Sequence, residues 1–523
     1  MRYPLKKSHE RSAFLNGVIA IFLGSLFLLA PPVFGAAENA QNTLVVSLGT
    51  SPLSPLDPAL TTSRQILVLY HNWGDTLLYR DPVNHEIVPC LAESYQYLDE
   101  KTLEFTLRKG VLFHNKEPFN AEAVRFSMER LKMNDSLVAR YLKVFTDVDV
   151  VDAHTIRFKT AIPVPTAQDV ITNTLFIYPP RYYRQVGKEG FNQHPIGTGP
   201  YRFVSRSSPS EVVFEANPDY FNGPKGEARI PNLDVQISPE EILQVESLIK
   251  KKVDLLRATN HYQEQLPFLR KNPFVNIKSV GILRTCFLVM DATGRSGVGF
   301  FKDRRVRRAI NHAIDKNHIV RGPFNTMADP IKGVCTPLHF GYEPDVMTYP
   351  YDPKKARRLL RAAGYPDGFE VDFYAGISEG TAEVIVEHLK AVGIKANLKW
   401  MGGQWYRFYK KFLEGEMPLA LLTWGSYSIF DASAIMNPFF VRTAPGCYGT
   451  TSEVDRLLRA ADATIEQERR KAFFSQAQKI IAQEAFWVPL VKNRSIAVMN
   501  RALNFQPSYD EIDRYFTASW QTP

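Results

Sequence analysis

Cysteine is scarce in this chain: four in 523 residues, Cys90, Cys286, Cys335 and Cys447, with no C-x-x-C pair among them. That spacing excludes a zinc ribbon and thioredoxin-like chemistry. A G-x-x-x-x-G-K-[ST] phosphate loop and an H-E-x-x-H helix are also missing, which argues against nucleotide-driven enzymes and zinc hydrolases. A serine nucleophile elbow is not expected either. There is no internal repeat, no low-complexity linker, and only one long apolar run. Hydrophobic residues at 45% and charged residues at 22% are ordinary globular values, so disordered, collagen-like and coiled-coil classes are excluded. At about 150 residues per domain, the length suits three to four domains or two large lobes.

The one long apolar run is Ala13 to Ala30, preceded by basic residues and followed by Pro31-Pro32 and Gly35-Ala36-Ala37. A basic flank, an apolar stretch and small residues read as a secretory signal peptide over residues 1–37, cleaved after Gly35 or Ala37. The alternative is a single membrane anchor, for which a run of about 18 residues is just long enough. Arg2, Lys6, Lys7 and Arg11 against Glu10 fall in this leader, so the formal charge of +9 drops to +6 without it. The remaining charges are interspersed, which does not fit a nucleic-acid patch. Export would make the four cysteines candidates for disulfides in any of three full pairings, or else buried hydrophobes.

The rest alternates between strand and helix signals. Thr43 to Leu48 is a short strand ending in a Gly/Ser/Pro loop that includes Thr50, where backbone donors can face a ligand. LEFTLR and TIRFK read as strands around a helix starting at Asn120. Ser238-Pro239-Glu240-Glu241 predicts a capped helix to about Lys252, followed by a strand at Val253 to Leu256. From about Arg284 helix and strand units repeat, with helices capped by Asp303 and Asp352, a helix from Thr381 to Val392, and strands at Ile394 to Trp400 and Leu419 to Trp424. Two helices at about Ser452 to Ala463 and Glu466 to Gln483 precede short strands at Trp487 to Val491 and Ser495 to Met499. This is an α/β pattern with a covered sheet.

Candidate chemistry is mostly aromatic. The strand Cys286 to Asp291 followed by Gly294, Gly297 and Gly299 lacks phosphate-loop spacing and is expected to carry the chain between lobes. Arg304, Arg305, Arg307 and Arg308 are expected on a solvated helix face. His114, His312 and His388 lack metal-ligand spacing, so no metal or cofactor site is expected. Trp400, Trp405 with Tyr406, and Trp424 with Tyr427 fall at or just past strand ends, where ligands of open α/β sheets sit, and Tyr70 and Trp73 lie in the first half. Trp424-Gly425-Ser426-Tyr427 is the strongest candidate, because Gly lets a ligand approach backbone. The candidate ligand-binding set is Thr50, Tyr70, Trp73, Trp405, Trp424, Gly425, Ser426, Tyr427 and Asp431, with no catalytic residue.

Six stations occur in order: Leu56-Asp57-Pro58, Pro89 to Ser94 (PCLAES), Phe105 to Arg108 leading to Val111 to Ala121, Pro195 to Tyr201 (PIGTGPY), Asn217 to Tyr220 (NPDY), and Val306-Arg307 with Ala309-Ile310 and Ala313 to Asp315. In these the chain resembles the large periplasmic solute-binding proteins, family 5, of ABC importers for peptides, opines and nickel. The resemblance implies a two-lobe α/β fold closing on its ligand, no enzymatic activity, and an ABC permease and ATPase as partners of a monomer. It also implies a layout of lobe one over 38–78 and 194–283, an inserted subdomain at 79–193, lobe two over 284–492, and a C-terminal return at 493–523. Peptide-binding members have an Asp three residues after a Trp for the α-amino group; Tyr427 stands there, with Asp431 further on. Nor is there an Arg or Lys from Phe369 to Leu389, where dipeptide binders carry an Arg for the carboxylate. These departures imply a larger, less charged solute such as an oligopeptide, a modified peptide or an opine-like conjugate. A periplasmic hydrolase, and a chaperone or sensor accessory on the same fold, are the alternatives.

Overall fold

The computed structural model describes residues 42–49, 52–238, 240–259 and 265–521. The leader at 1–37 and Thr50 lie outside the described residues.

One large sheet carries two groups of cores, one of buried residues outside Cys286 to Val491 (called lobe one) and one of buried residues within it (called lobe two). In lobe one, Thr43–Leu48 (β1) alternates buried and half-buried side chains, then buries its last three. Antiparallel strands Tyr201–Ser208 (β2) and Glu211–Ala216 (β3) lead to Asn232–Gln236 (β4), and β1 lies parallel between β4 and Leu255–Thr259 (β5). Val275–Met290 (β6), Ala328–Pro330 (β7), Phe369–Ala375 (β8), Ile394–Trp400 (β9), Leu419–Trp424 (β10) and Trp487–Asn500 (β11) complete it. The order is β9-β8-β10-β6-β11-β5-β1-β4-β3-β2, with β7 paired to β11.

Two strands cross between the lobes. The inner part of β6, Val275 to Gly281, pairs with Arg494 to Asn500 of β11 inside lobe one, and after a register shift Thr285 pairs with Lys492 on the lobe-two side. The two short strands expected at Trp487 to Val491 and Ser495 to Met499 are therefore one strand of 14 residues. The polar triplet Lys492-Asn493-Arg494 that interrupts the apolar pattern marks the crossing. There Lys492 and Arg494 both pair with Asp329 of β7. The Gly294 to Gly299 loop is not the crossing: Asp291 closes it by accepting from the backbone N–H groups of Thr293, Gly294 and Ser296.

The cores follow strand alternation. Cys286, Leu288 and Met290 of β6 face one lobe-two core with Val306, Ile310 and Phe373, whereas Phe287 and Val289 face another with Phe412, Phe439 and Trp487. Lobe one has its main core around Leu44, Val46, Trp73 and Phe516, continuous with Phe105, Phe145 and Phe158 of a separate four-stranded sheet.

Helix Arg64–Trp73 (α1) follows the loop after β1, and Ala121–Lys132 (α2) is capped by Asn120 as its sequence indicates. Asp303 caps Arg304–Ala313 (α3) by accepting from the Arg305 N–H. The arginine run on α3 is a solvated face at Arg304 and Arg305, which are exposed, but not at the other two. Arg307 is buried and donates to the Phe301, Lys302 and Glu484 carbonyls, and Arg308 donates to the Gln483 carbonyl. These guanidinium groups neutralise the carbonyl end of Gln467–Glu484, a favourable place for cations. The helix expected to reach Lys252 is shorter, Glu241–Ile249. All four cysteines are free and buried, so no disulfide of any pairing is present.

Candidate functional site

Strand β10 ends at Trp424, and the following segment reaches across to lobe one. Tyr427 and Ser428 sit there at φ of 51° and 63°, successive left-handed residues that are not glycine. Such backbone is held only where its surroundings fix it. Here Ser428 is fully engaged: its Oγ accepts from Arg64 Nη1 at 2.6 Å and donates to the Asp510 carbonyl at 2.6 Å, and its carbonyl accepts from Asn173 Nδ2 at 3.0 Å. Phe430 continues the seam, with Arg80 4.3 Å above its ring and its N–H donating to Asp169, the ion-pair partner of Arg80.

The Tyr427 ring stacks on Tyr141 of the short helix Ala139–Leu142, centroids 5.0 Å apart and 10° from parallel. Arg64 lies 5.2 Å from the Tyr427 ring and Arg140 4.8 Å from the Tyr141 ring. Burial raises the Tyr427 phenol well above its ordinary pKa, so it stays a neutral donor. On lobe two, Trp405 and Tyr409 of Trp405–Glu414 (α4) stack at 5.6 Å, and Tyr409 lies 6.1 Å from Trp424. The result is an aromatic wall from Trp405 through Tyr409 and Trp424, facing a tyrosine pair flanked by two guanidinium groups.

The remaining candidates are placed differently. Gly425 lies against an ion pair at the crossing, Arg284 with Glu511 at 3.2 Å, and a Cβ there would meet Arg284 Nη2 at 2.9 Å. Ser426 is buried, and among the described residues its hydroxyl has no hydrogen-bond partner. The Trp424 indole N–H donates to the Ala434 carbonyl at 3.1 Å, so that donor is spent inside lobe two. Asp431 is only 4% exposed. It pairs with Arg470 at 2.9 Å and accepts from the Ser433 N–H and hydroxyl, holding the start of Ser433–Phe440. Tyr70 and Trp73 are buried in lobe one, Tyr70 donating to the Asp75 carbonyl. Trp73 backs the PIGTGPY loop so closely that a Cβ on Gly199 would sit 2.5 Å from its carbonyl carbon.

Arg64, Arg140, Tyr141, Asn173, Arg284 and Glu511 are the seam residues that sequence reading missed. For Arg64 a signal existed: a cation as first residue of a helix with no acid in its first turn is electrostatically adverse there.

One motif was overlooked. Gly376 to Gly380 (GISEG) spells G-x-S-x-G at a strand-to-helix turn, with Ser378 at φ 50°. Among the described residues its Oγ bonds only to Thr381 Oγ1, at 2.6 Å. No histidine or carboxylate reaches it, so the set needed for a nucleophile is not assembled.

Comparison with known proteins agrees with this architecture. The family described as "Bacterial extracellular solute-binding proteins, family 5 Middle" matches residues 86–446. Heme-binding protein A of Haemophilus influenzae is 26% identical over 507 residues, covering 89% of this chain and 90% of that protein. Di/tripeptide-binding protein 2 of Pseudomonas aeruginosa is 27% identical over 511 residues, 89% and 92% covered. The glutathione-binding protein GsiB of Salmonella choleraesuis is 27% identical over 495 residues, 91% and 94% covered. Among solved structures, HbpA2 from Haemophilus parasuis superposes with a TM-score of 0.79 at 24% identity, covering 92% of this chain and 100% of that one. The Helicobacter pylori periplasmic binding protein DppA, in complex with peptide STSA, gives 0.78 at 24%, with 93% and 99% covered. These are two-lobe binding folds, and they set the solute-binding role above the hydrolase alternative. The chain belongs to the bacterial extracellular solute-binding proteins of family 5.

Proposed function

We propose that the mature protein, released from its leader after Gly35 or Ala37, works in the periplasm as a monomer. It captures a peptide-like solute between its lobes and delivers it to the permease and ATPase subunits of an ABC importer. The observation that carries this reading is the seam at Tyr427 and Ser428. A lobe-two segment closes on Arg64, Tyr141 and Asn173 of lobe one, beside an aromatic wall of the kind that encloses small ligands. The crossing at Gly281 to Thr285 and Lys492 to Arg494 is the hinge in this reading, close to the limits of 284 and 492 expected for lobe two. The ligand contacts are Trp405, Trp424, Gly425, Ser426 and Tyr427. Asp431, Tyr70 and Trp73 act behind them as support. Glutathione and heme, named ligands of two of the relatives, fit a site that joins flat apolar surface to a few polar groups.

Denaturing the purified protein and identifying what it releases by mass spectrometry tests this directly. One organic solute per chain, together with compaction on rebinding by small-angle scattering, is the expected result. A protein that carries and rebinds nothing while cleaving a substrate would refute it.

A further inference from the structure

The acids at the seam are all taken. Asp431 is held by Arg470, Asp169 by Arg80, Asp510 by Arg514 and Glu511 by Arg284. Asp513 close by is held by Arg257. Arg64 and Arg140 are left over: among the described residues neither has a carboxylate within ion-pair distance. Arg64 spends one N–H on Ser428 and lies over the Tyr427 ring, while Arg140 spends one on the Tyr141 hydroxyl at 2.9 Å. A guanidinium has five N–H donors, so most remain for a ligand.

Arg64 is also misplaced by the usual rules of helix stability. It opens α1, where Ser63 makes no side-chain cap and no acid stands in the first turn, so its charge adds to the positive end of the helix dipole. Its structural return is one hydrogen bond to Ser428 and a ring contact with Tyr427, and a residue that breaks a local rule is a functional candidate. An anion would receive there a bidentate guanidinium and unfilled backbone donors.

Resting on the solute-binding reading above, we infer that Arg64, with Arg140 beside it, makes the site selective for peptide-like solutes of net negative charge. Their carboxylate is taken by lobe one, and they carry no ammonium group that needs a buried partner. A zwitterion or cation would enter a site with no acid to spare, where an unpaired charge is costly.

Three peptides separate the possibilities in calorimetry on the full mature chain: N-acetyl-Ala-Tyr-Glu with two carboxylates, zwitterionic Ala-Tyr-Ala, and the cationic N-acetyl-Ala-Tyr-Lys amide. The acidic peptide is expected to bind about tenfold or more tighter than the other two, as loss of a charge-assisted bond implies. Arg64→Gln is expected to erase that preference and Arg64→Lys to retain part of it. Ser428→Ala removes the seam bond but no charge, and is expected to keep the preference; a purely structural role for Arg64 would make it behave like Arg64→Gln. Equal binding of the three peptides, or a preference that survives Arg64→Gln, overturns the inference and leaves the solute-binding reading standing. A neutral or cationic solute released from the purified protein does the same. If no peptide binds and no solute is released, both fail together.

Discussion

Replacing Asp431 by Asn separates a structural acid from a ligand-binding one. The substitution keeps the shape and the acceptor for Ser433 but removes the charge facing Arg470. Both partners are about 5% exposed at the side chain, so the guanidinium is left in a low-dielectric setting. Breaking such a buried pair costs about 3–5 kcal/mol. Arg470 keeps a bond to the Ala461 carbonyl at 3.0 Å and the ring faces of Phe340 and Phe474, which places the cost near the lower bound, about 3 kcal/mol. At about 2 °C per kcal/mol for a large chain, melting should fall by roughly 6 °C. Asp431→Asn with Arg470→Met should recover most of it, because no buried charge remains. Differential scanning calorimetry reads the loss, and titration calorimetry at a temperature where the variant is folded should find solute affinity unchanged. An unchanged melting temperature with lost affinity would refute the reasoning and make Asp431 a ligand contact.

Tyr427→Ala removes the seam stack and is expected to weaken binding of the released solute by about 1–3 kcal/mol, as is Trp424→Ala; unaltered affinity in both would remove the aromatic wall from the site. Burial pushes the His339 imidazole down to about 4. A depressed folded-state value means that the neutral ring's contribution is complete above about pH 6.5 and is lost as pH falls through 4, about 3 kcal/mol in all. The melting temperature of His339→Gln should therefore fall less than that of the parent between pH 6.5 and 4, and parallel curves would contradict this. Gly199→Ala should prevent folding or cost several kcal/mol, because its Cβ meets backbone at 2.5 Å; Gly226→Ala faces open space and should cost only about 1 kcal/mol for its φ of +71°. Equal melting of these two variants would show that loop packing on Trp73 does not matter.

Local signals were legible where local physics decides. Asn120, Asp303 and Asp352 all accept the helix N–H bonds that their positions imply. Strands confined to one lobe, such as β1, β9 and β10, fall where alternation or apolar runs put them. The crossing strands were not legible as units, because their environment changes at Gly281 to Thr285 and Lys492 to Arg494 and the pattern changes with it. The inward half of the arginine run, Arg307 and Arg308, was not legible because its partners lie at Gln483 and Glu484, more than 170 residues away. At the site, Trp424 to Tyr427 stood out as a strand end with a glycine. Its counterpart Tyr141 carries no local mark, Arg64 only its adverse place at a helix start, and Asp431 no mark of Arg470. Tyr70 and Trp73 show how an aromatic pair at helical spacing serves packing when both rings face inward.

The adjacency of Thr285 and Lys492 also makes lobe two a portable part of the gene. Both of its cores are built from residues between Cys286 and Val491, so among the described residues the chain leaves lobe one once and returns once, at neighbouring points. On the reading proposed above, a single recombination cassette would exchange Trp405, Tyr409, Trp424 and Tyr427 together, while Arg64 and Tyr141 stay behind. Within a family spread across many solutes, such an exchange would change one side of the proposed site in one step, provided that it preserves the two-strand ribbon at its base and the seam bonds of Ser428 to Arg64, Asn173 and Asp510.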